Sequence, residues 1–204
     1  MDPSRWKEGV HPGMNGKVIT EFIFIRHAES TSNASLTSGG GPIARDVPLT
    51  ERGERQALVV RDLIKRLRGP NTRIYVSPLS RAMQTLGSEF DEDTVVVPEL
   101  REWCRNDKGE RVYESPDELM VRVSVALGQM RAPGRRVVAV GHSLWIAKCM
   151  QLMTMSNDKT MYHLSNASVT VIHETEWGVE VQAVGSVHHL PAELHTGHHT
   201  AALD

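Results

Sequence analysis

Two histidines and two arginines lie just after apolar runs of the chain: Arg26 with His27, then Arg81, and later His142. A guanidinium stays charged at any working pH and pairs with the oxygens of a phosphoryl group. A neutral imidazole can attack phosphorus and be released in a second displacement. These residue types predict phosphoryl-transfer chemistry, with His27 as the nucleophile and Arg26 and Arg81 binding the phosphate.

Such a reaction also needs a group that moves protons. The leaving alkoxide must gain a proton and the attacking water must later lose one, so a single carboxyl group can act first as acid and then as base. Glu102 and Glu99 are the local candidates, and their spacing alone does not decide between them. Because positive side chains would offset the phosphoryl charge, the prediction includes no metal ion and no other cofactor.

Strands that alternate with helices are predicted to position these residues. A largely buried strand is expected from Val18 to Ile25, followed by a helix capped by Thr50 that ends at Leu67. Further strands are predicted at 73–76, 95–97, 137–140, 169–172 and 179–181, and the one at 95–97 is expected to be buried. Further helices are predicted after an N-cap at Ser77, after an N-cap at Ser115, and over 144–155. This order predicts an α/β fold, a three-layer α/β/α sandwich with a mainly parallel central sheet. Ligands of such sheets bind beyond the carboxyl ends of the strands.

Length and composition fit one domain. With 204 residues, we expect a single catalytic domain over 17–190, between a flexible arm at 1–16 and a histidine-rich tail at 191–204. A net charge of -2, without a basic block, argues against nucleic acid or membrane partners. Cys104 and Cys149 have no disulfide or zinc spacing and the first residues lack the apolar core of a signal peptide, so the expected location is cytoplasmic.

Four separated stretches form a larger pattern: Arg26-His27-Ala28-Glu29 with Asn33, residues 46–57 (DVPLTERGERQA), residues 77–85 (SPLSRAMQT), and Gly141-His142-Ser143. The pattern resembles the histidine phosphatase superfamily, also called phosphoglycerate mutase-like, over most of the chain. The resemblance implies that family's fold and a phosphohistidine intermediate on His27. It also implies that Arg26, Arg81, His142 and Asn33 contact the phosphate, and it favours Glu102 over Glu99 as the proton donor.

One position departs from the family signature, because Ala28 stands where the family has glycine. The added methyl group brings the local backbone angle into question, and it motivates one alternative, an inactive phosphate-binding scaffold.

A second alternative is a mutase that returns the phosphoryl group to another hydroxyl of a sugar-acid phosphate. Mutases of this family carry extra segments that enclose the intermediate, whereas forty positions separate Glu102 from His142 here. We therefore expect hydrolysis of a small-molecule phosphomonoester or a phosphoprotein. The loop at 34–47, which is expected to set selectivity, carries no recognisable code, and the oligomeric state is left open.

Simpler interpretations exist for each of these residues. Arg26 and Arg81 are equally suited to surface ion pairs, for instance with Glu29 or Glu89, and Asn33 to a turn. Five histidines near the end of the chain are compatible with a metal site, although a solvated tail is the better interpretation: His188, His189, His195, His198 and His199.

A rival enzyme class is raised by Gly141-His142-Ser143-Leu144-Trp145, which partly matches the nucleophilic serine elbow of α/β-hydrolases. Trp145 occupies the position of the final glycine, which normally permits close helix and strand packing. The indole therefore argues against Ser143 as a nucleophile.

Overall fold

The computed structural model describes residues 16–37, 46–102, 114–156, 162 and 164–196. The strands are β1 (Val18–Arg26), β2 (Thr72–Val76), β3 (Val95–Val96), β4 (Arg135–Gly141), β5 (Val169–Thr175) and β6 (Gly178–Ser186). The helices are α1 (Thr31–Thr37), α2 (Glu51–Leu67), α3 (Ser80–Leu86), α4 (Pro116–Met130) and α5 (Ser143–Met153). Among these residues, no helix is both long and apolar enough to cross a membrane.

The strands form one sheet in the order β3-β2-β4-β1-β5-β6. The four strands from β3 to β1 are parallel, and β5 and β6 join the far side in antiparallel pairing. Because the carboxyl ends of the parallel strands meet at one edge, the segments that follow β1, β2 and β4 lie side by side.

Helices cover both faces of this sheet. Phe22 and Phe24 of β1 pack in one core with α4 and α5, whereas Ile23 and Ile25 pack in a second core with α2 and α3. Successive strand side chains point to opposite faces, so the uninterrupted apolar run of β1 follows from its burial on both. The predicted three-layer α/β/α sandwich with a mainly parallel sheet is confirmed.

Two local predictions were wrong. Ser77 does not cap a helix, since α3 begins at Ser80 and the Ser77 hydroxyl instead contacts His142. The amide nitrogen of Ser80 donates to Asp46 Oδ1 at 2.8 Å, so an acidic side chain from a distant segment caps α3. The strand expected to be buried over 95–97 is the shorter edge strand β3, whose Val95 and Val96 are 43% and 39% exposed, and only Val97, just after it, is buried.

The segments expected to flank the catalytic domain are only partly among the described residues. Residues 1–15, 38–45 and 197–204, which include most of the predicted arm, loop and tail, lie outside the described residues. Residues 191–196, expected from the sequence to begin the tail, instead pack on the fold. Leu194 and Thr196 are buried, and the Gln56 side-chain nitrogen donates to the Leu194 carbonyl at 2.7 Å.

A glycine brings α2 against the segment that follows β1. A Cβ on Gly53 would lie 2.0 Å from the backbone oxygen of Glu29, a distance that real Cβ atoms do not reach. Thr50, the N-cap of α2, accepts a hydrogen bond from the amide nitrogen of Gly53 at 3.0 Å, and its own amide nitrogen donates to the same Glu29 oxygen at 3.0 Å. The start of α2 therefore sits directly on the chain just beyond His27.

Candidate active site

The carboxyl ends of β1 and β4 are joined by backbone hydrogen bonds. The amide nitrogen of His27 donates to the Gly141 carbonyl at 2.9 Å, and that of Ser77, just after β2, donates to Val140 at 3.0 Å. The next residue after Gly141 is His142, so regular strand pairing alone places two histidines next to each other. Their ring centroids are 5.1 Å apart.

Four predicted site residues form one buried cluster at this edge. Arg26, His27, Arg81 and His142 are 5%, 3%, 8% and 0% exposed. Arg81, from the first turn of α3, donates from Nε to His27 Nε2 at 3.2 Å. Burying two guanidinium groups beside two imidazoles costs free energy of folding. A bound anion would offset this cost.

Neighbouring groups fix the protonation of His27. Its Nδ1 lies 2.7 Å from the Ala28 carbonyl, and because a carbonyl only accepts, Nδ1 carries the proton. The other ring nitrogen, Nε2, accepts from Arg81 and so carries a lone pair. Burial holds the pKa of His27 well below 6.5, and the charges of Arg81 and Arg26 lower this pKa further. His27 is therefore a neutral imidazole with its Nε2 lone pair directed at Arg81.

His142 is also neutral for similar reasons. Burial holds its pKa well below 6.5, and the charges of Arg81, Arg26 and Arg122 act in the same direction. Its Nε2 lies 2.8 Å from the Ser77 hydroxyl. Its Nδ1 is buried and has no hydrogen-bond partner among the described residues.

Arg26 is anchored by the chain just before β5. Its Nη1 donates to the Leu164 carbonyl, while its Nε is buried without a partner among the described residues. Burial lowers the pKa of Arg26 to about 10, an effect that Glu102 opposes and Arg81 reinforces. At that value Arg26 remains a cation at neutral pH.

Asn33, in α1, is held by its side-chain oxygen. Its Oδ1 accepts from the Ser30 amide nitrogen at 3.1 Å, the Ser30 hydroxyl at 3.0 Å and Asn166 Nδ2 at 2.9 Å. It is buried and belongs to the wall of the site, although the contact with Ser30 is also the local type expected of a turn residue.

Asn166 is a site residue that the sequence did not predict. Its Nδ2 also lies 3.3 Å from the His27 carbonyl, and its neighbour Ala167 donates from its amide nitrogen to that carbonyl at 3.1 Å. Ala167 has a φ of 57°, in the left-handed region that alanine rarely adopts. The polar run Ser165-Asn166-Ala167-Ser168 signalled a turn, but its contact with a residue 139 positions away could not be inferred.

Ala28 fits without distortion at the position where the family signature has glycine. Its φ is not positive, since the described non-glycine residues with positive φ are Met155 and Ala167. Its amide nitrogen donates to Thr85 Oγ1 at 2.9 Å, and Thr85 in turn donates to the Arg81 carbonyl at 2.6 Å. Thr85, another residue given no role from the sequence, thus links Ala28 to the helix that carries Arg81.

The two carboxylates that the sequence offered as ion-pair partners of Arg26 and Arg81 contact other residues. Buried Glu29 accepts from Thr50 Oγ1 at 2.6 Å and from Arg52 Nε at 3.1 Å. Glu89 lies near Arg68 and Lys65, at 3.5 Å and 3.7 Å. These carboxylates neutralise cations outside the cluster.

The two candidate proton donors lie on one segment after β3. Glu102 is half-buried, and its charge raises the pKa of buried Arg26, so its carboxylate faces the cluster. Glu99 lies in the turn Pro98–Leu100.

The segment that partly matches a hydrolase elbow lies at the strand-to-helix turn between β4 and α5. Ser143 is the first residue of α5, and the neighbouring His142 contacts Ser77 instead. Trp145 is buried beside Phe24, with ring centroids 5.8 Å apart. The indole fills the core, as its size predicts.

The described histidines near the end of the chain do not gather around a common point with other ligands. No group of three His, Cys, Asp or Glu suited to a metal ion occurs in the described part of the chain. His195 Nε2 lies 3.2 Å from the Leu190 carbonyl, and burial lowers the pKa of His189 to about 4. His198 and His199 lie outside the described residues.

Comparison with known proteins agrees with this geometry. A family model described as Histidine phosphatase superfamily (branch 1) matches residues 22–108, the region that holds His27, Arg81 and Glu102. A match to the histidine phosphatase superfamily was predicted from the four motifs, and the family model finds it over this part of the chain.

Curated relatives match the chain over part of their length. The chain is 33% identical over 91 residues to a 2,3-bisphosphoglycerate-dependent phosphoglycerate mutase 2 of Latilactobacillus sakei, covering 44% of this chain and 38% of that protein. It is 36% identical over 93 residues to a 2,3-bisphosphoglycerate-dependent phosphoglycerate mutase of Lactococcus lactis, with the same coverage. The alignment thus spans less than two fifths of the curated relatives.

Solved structures of the superfamily share the fold. A phosphoserine phosphatase from Entamoeba histolytica, in complex with 3-phosphoglyceric acid, has a TM-score of 0.66 at 21% identity, covering 85% of this chain and 100% of that one. A phosphoglycerate mutase from Bacillus anthracis has a TM-score of 0.65 at 18% identity, covering 82% and 93%. The names include a phosphatase and a mutase, so the fold alone does not separate the two activities.

Proposed function

We propose that the protein hydrolyses phosphomonoesters through a phosphohistidine intermediate on His27. The observation that carries the proposal is the state of this imidazole: neutral, with the proton on Nδ1 and a lone pair on Nε2 beside the Arg81 guanidinium. A nucleophile needs such a lone pair, and a phosphoryl group needs the adjacent cation. When a phosphate binds, Arg81 would turn from Nε2 toward its oxygens and expose the lone pair to phosphorus.

The charge of the phosphoryl group would be met by protein groups alone. Arg26 and Arg81 supply two cations, and the buried Arg26 Nε is a donor that a phosphoryl oxygen would satisfy. His142 Nδ1 would be a second such donor in the tautomer whose Nε2 accepts from the Ser77 hydroxyl. Asn33, whose oxygen is held by Ser30 and Asn166, would donate from its side-chain nitrogen. We therefore expect no metal requirement, and activity in EDTA is the test.

Glu102 is the proposed acid and base. It would protonate the departing oxygen and then take a proton from the water that attacks phosphohistidine. The charge of Glu102 raises the pKa of buried Arg26, which supports Glu102 as the group that faces the reacting atoms.

The decisive experiment compares wild type with His27→Ala in EDTA, on p-nitrophenyl phosphate and on phosphoglycerates. Steady phosphate release by wild type, reduced by at least about 10³-fold in the variant, is expected because both displacements require the imidazole. Acid-labile phosphate trapped on wild type but not on His27→Ala would identify the intermediate. Cleavage that survives His27→Ala and is lost in Ser143→Ala would contradict the proposal.

A mutase-type phosphotransferase is the second candidate, favoured by the names of the curated relatives. It shares every step up to phosphohistidine and differs only in the acceptor. Interconversion of phosphoglycerates without phosphate release would support it. Inactivity on every ester would instead support the scaffold alternative, against which the unstrained backbone at Ala28 argues.

A further inference from the structure

A buried arginine on α4 is joined to the segment that carries Glu102. Arg122 is 7% exposed, and its Nη1 donates to two backbone carbonyls, those of Glu99 and Arg101, each at 2.7 Å. Its Nε donates to Glu114 Oε1 at 2.7 Å, and its Nη2 contacts Glu114 Oε2. One guanidinium therefore binds the chain on both sides of the proton-donor segment.

The contact with Arg101 bears directly on Glu102. The Arg101 carbonyl belongs to the planar peptide unit that joins Arg101 to Glu102, so fixing this oxygen fixes the direction in which the chain enters Glu102. The turn before it is anchored separately by Leu100, which is fully buried in the core that includes α4. Arg122 adds the rotational restraint that an apolar anchor cannot supply.

The bidentate pair with Glu114 holds the guanidinium itself in place. A carboxylate that grips Nε and Nη2 leaves Nη1 directed toward the two carbonyls. Lysine has no such fork, so it can keep the charge but not all three attachments.

We propose that Arg122 is a positioning residue for Glu102, acting through the Arg101 carbonyl to hold the carboxyl group where it can protonate the leaving oxygen. The inference rests on the proposed function, in which Glu102 is the general acid. The hydrogen bonds described for Arg122 go to Glu99, Arg101 and Glu114 and to no proposed reacting group. Its loss should therefore matter most when the leaving group needs a proton.

The test measures kcat/KM on two esters, glycerol phosphate and p-nitrophenyl phosphate. This constant covers steps only up to the first irreversible one, so it excludes hydrolysis of the intermediate. For Arg122→Met we expect a loss of roughly tenfold to a hundredfold on glycerol phosphate, because its alkoxide leaves only when protonated. On p-nitrophenyl phosphate, whose nitrophenolate leaves as a stable anion, we expect a change of less than about threefold.

Three variants serve as references. Glu102→Gln sets the full selective loss, and Arg122→Lys should fall between Arg122→Met and wild type. Arg131→Met is the matched control, since Arg131 lies at the C-terminal end of the same helix and pairs with Glu174, with Nε 2.7 Å from the carboxylate. It should lower activity on neither ester. If Arg122→Met does not fold, the comparison is made on Arg122→Lys.

The outcomes separate the two proposals. Suppose that Glu102→Gln loses kcat/KM selectively on glycerol phosphate. If the Arg122 variants then lose kcat/KM equally on both esters, or on neither, the positioning role alone is overturned. Equal effects on both esters in Glu102→Gln would overturn the acid role of Glu102, and the inference with it.

Discussion

At the scale of single residues, the site depends on an imidazole kept neutral by its surroundings. His27 combines burial, two neighbouring cations and a carbonyl that fixes the proton on Nδ1. The same cations that would attract a phosphate keep a proton off His27, the proposed nucleophile. Binding and activation are thus two effects of one charge arrangement.

This arrangement predicts the titration of His27. In ¹⁵N NMR spectra of the imidazole rings, recorded without phosphate, the His27 Nε2 signal should stay that of an unprotonated nitrogen as the pH falls through 6.5. In Arg81→Met the protonation midpoint should rise toward the ordinary value near 6.5, because the charge of Arg81 lowers the His27 pKa. A wild-type midpoint at or above 6.5 would refute the neutral-nucleophile argument.

At the scale of elements, the residues that cap the first turn of a helix fix where that helix begins relative to the site. Two of them follow the sequence directly: Thr50 caps α2, and Ser115 with Glu118 forms the capping box of α4. These caps were predictable because both partners lie within three positions. The start of α3 was not, since its cap is Asp46 and the hydroxyl of Ser77 goes to His142, 65 positions away.

The close approach of α2 gives a prediction with an internal control. Gly53→Ala should lower the free energy of unfolding by roughly 1–3 kcal/mol, because its Cβ collides with the Glu29 backbone and must push α2 away. Gly128→Ala, at an exposed position of α4 where a Cβ meets nothing within 4 Å, should raise it by about 0.5–1 kcal/mol. Urea unfolding measures both, and equal effects of the two substitutions would contradict the packing argument.

At the scale of the whole molecule, the site combines what the sequence predicts with what only folding reveals. The motifs supplied Arg26, His27, Arg81 and His142, and parallel pairing of β1, β2 and β4 brings them together. Asn166 and Thr85 escaped prediction because each acts through a hydrogen bond to a backbone more than fifty positions away. Such contacts carry no local pattern of spacing or composition.

Burying neutral histidines also predicts how stability depends on pH. His27 and His142 have folded pKa values well below 6.5, whereas the unfolded chain protonates both near 6.5. The unfolded state thus binds more protons below 6.5, and the free energy of unfolding should fall there by about 1 kcal/mol per pH unit for each histidine. Above pH 6.5 this contribution is constant.

Urea unfolding without phosphate, between pH 7.5 and 5, measures this slope. Glu21 and Asp91, whose pKa values are lowered from 4.5 and 3.8, lose their contribution only at more acidic pH, so the interval isolates the histidines. His142→Gln should make the slope shallower by about 1 kcal/mol per pH unit. A slope that the substitution leaves unchanged would argue against a neutral, buried His142.

The hydrogen bonds around His27 also determine when the site can exist during synthesis. Arg26 is anchored to Leu164, Asn33 to Asn166 and Gln56 to Leu194, pairs separated by 138, 133 and 138 positions. A ribosome releases the nucleophile and both arginines long before their anchors emerge. A nascent chain that stops at the end of α5 therefore carries every proposed phosphate-binding side chain and still lacks the anchors that orient them. Catalytic competence should therefore arise in one step, only after the chain through Leu194 has been made.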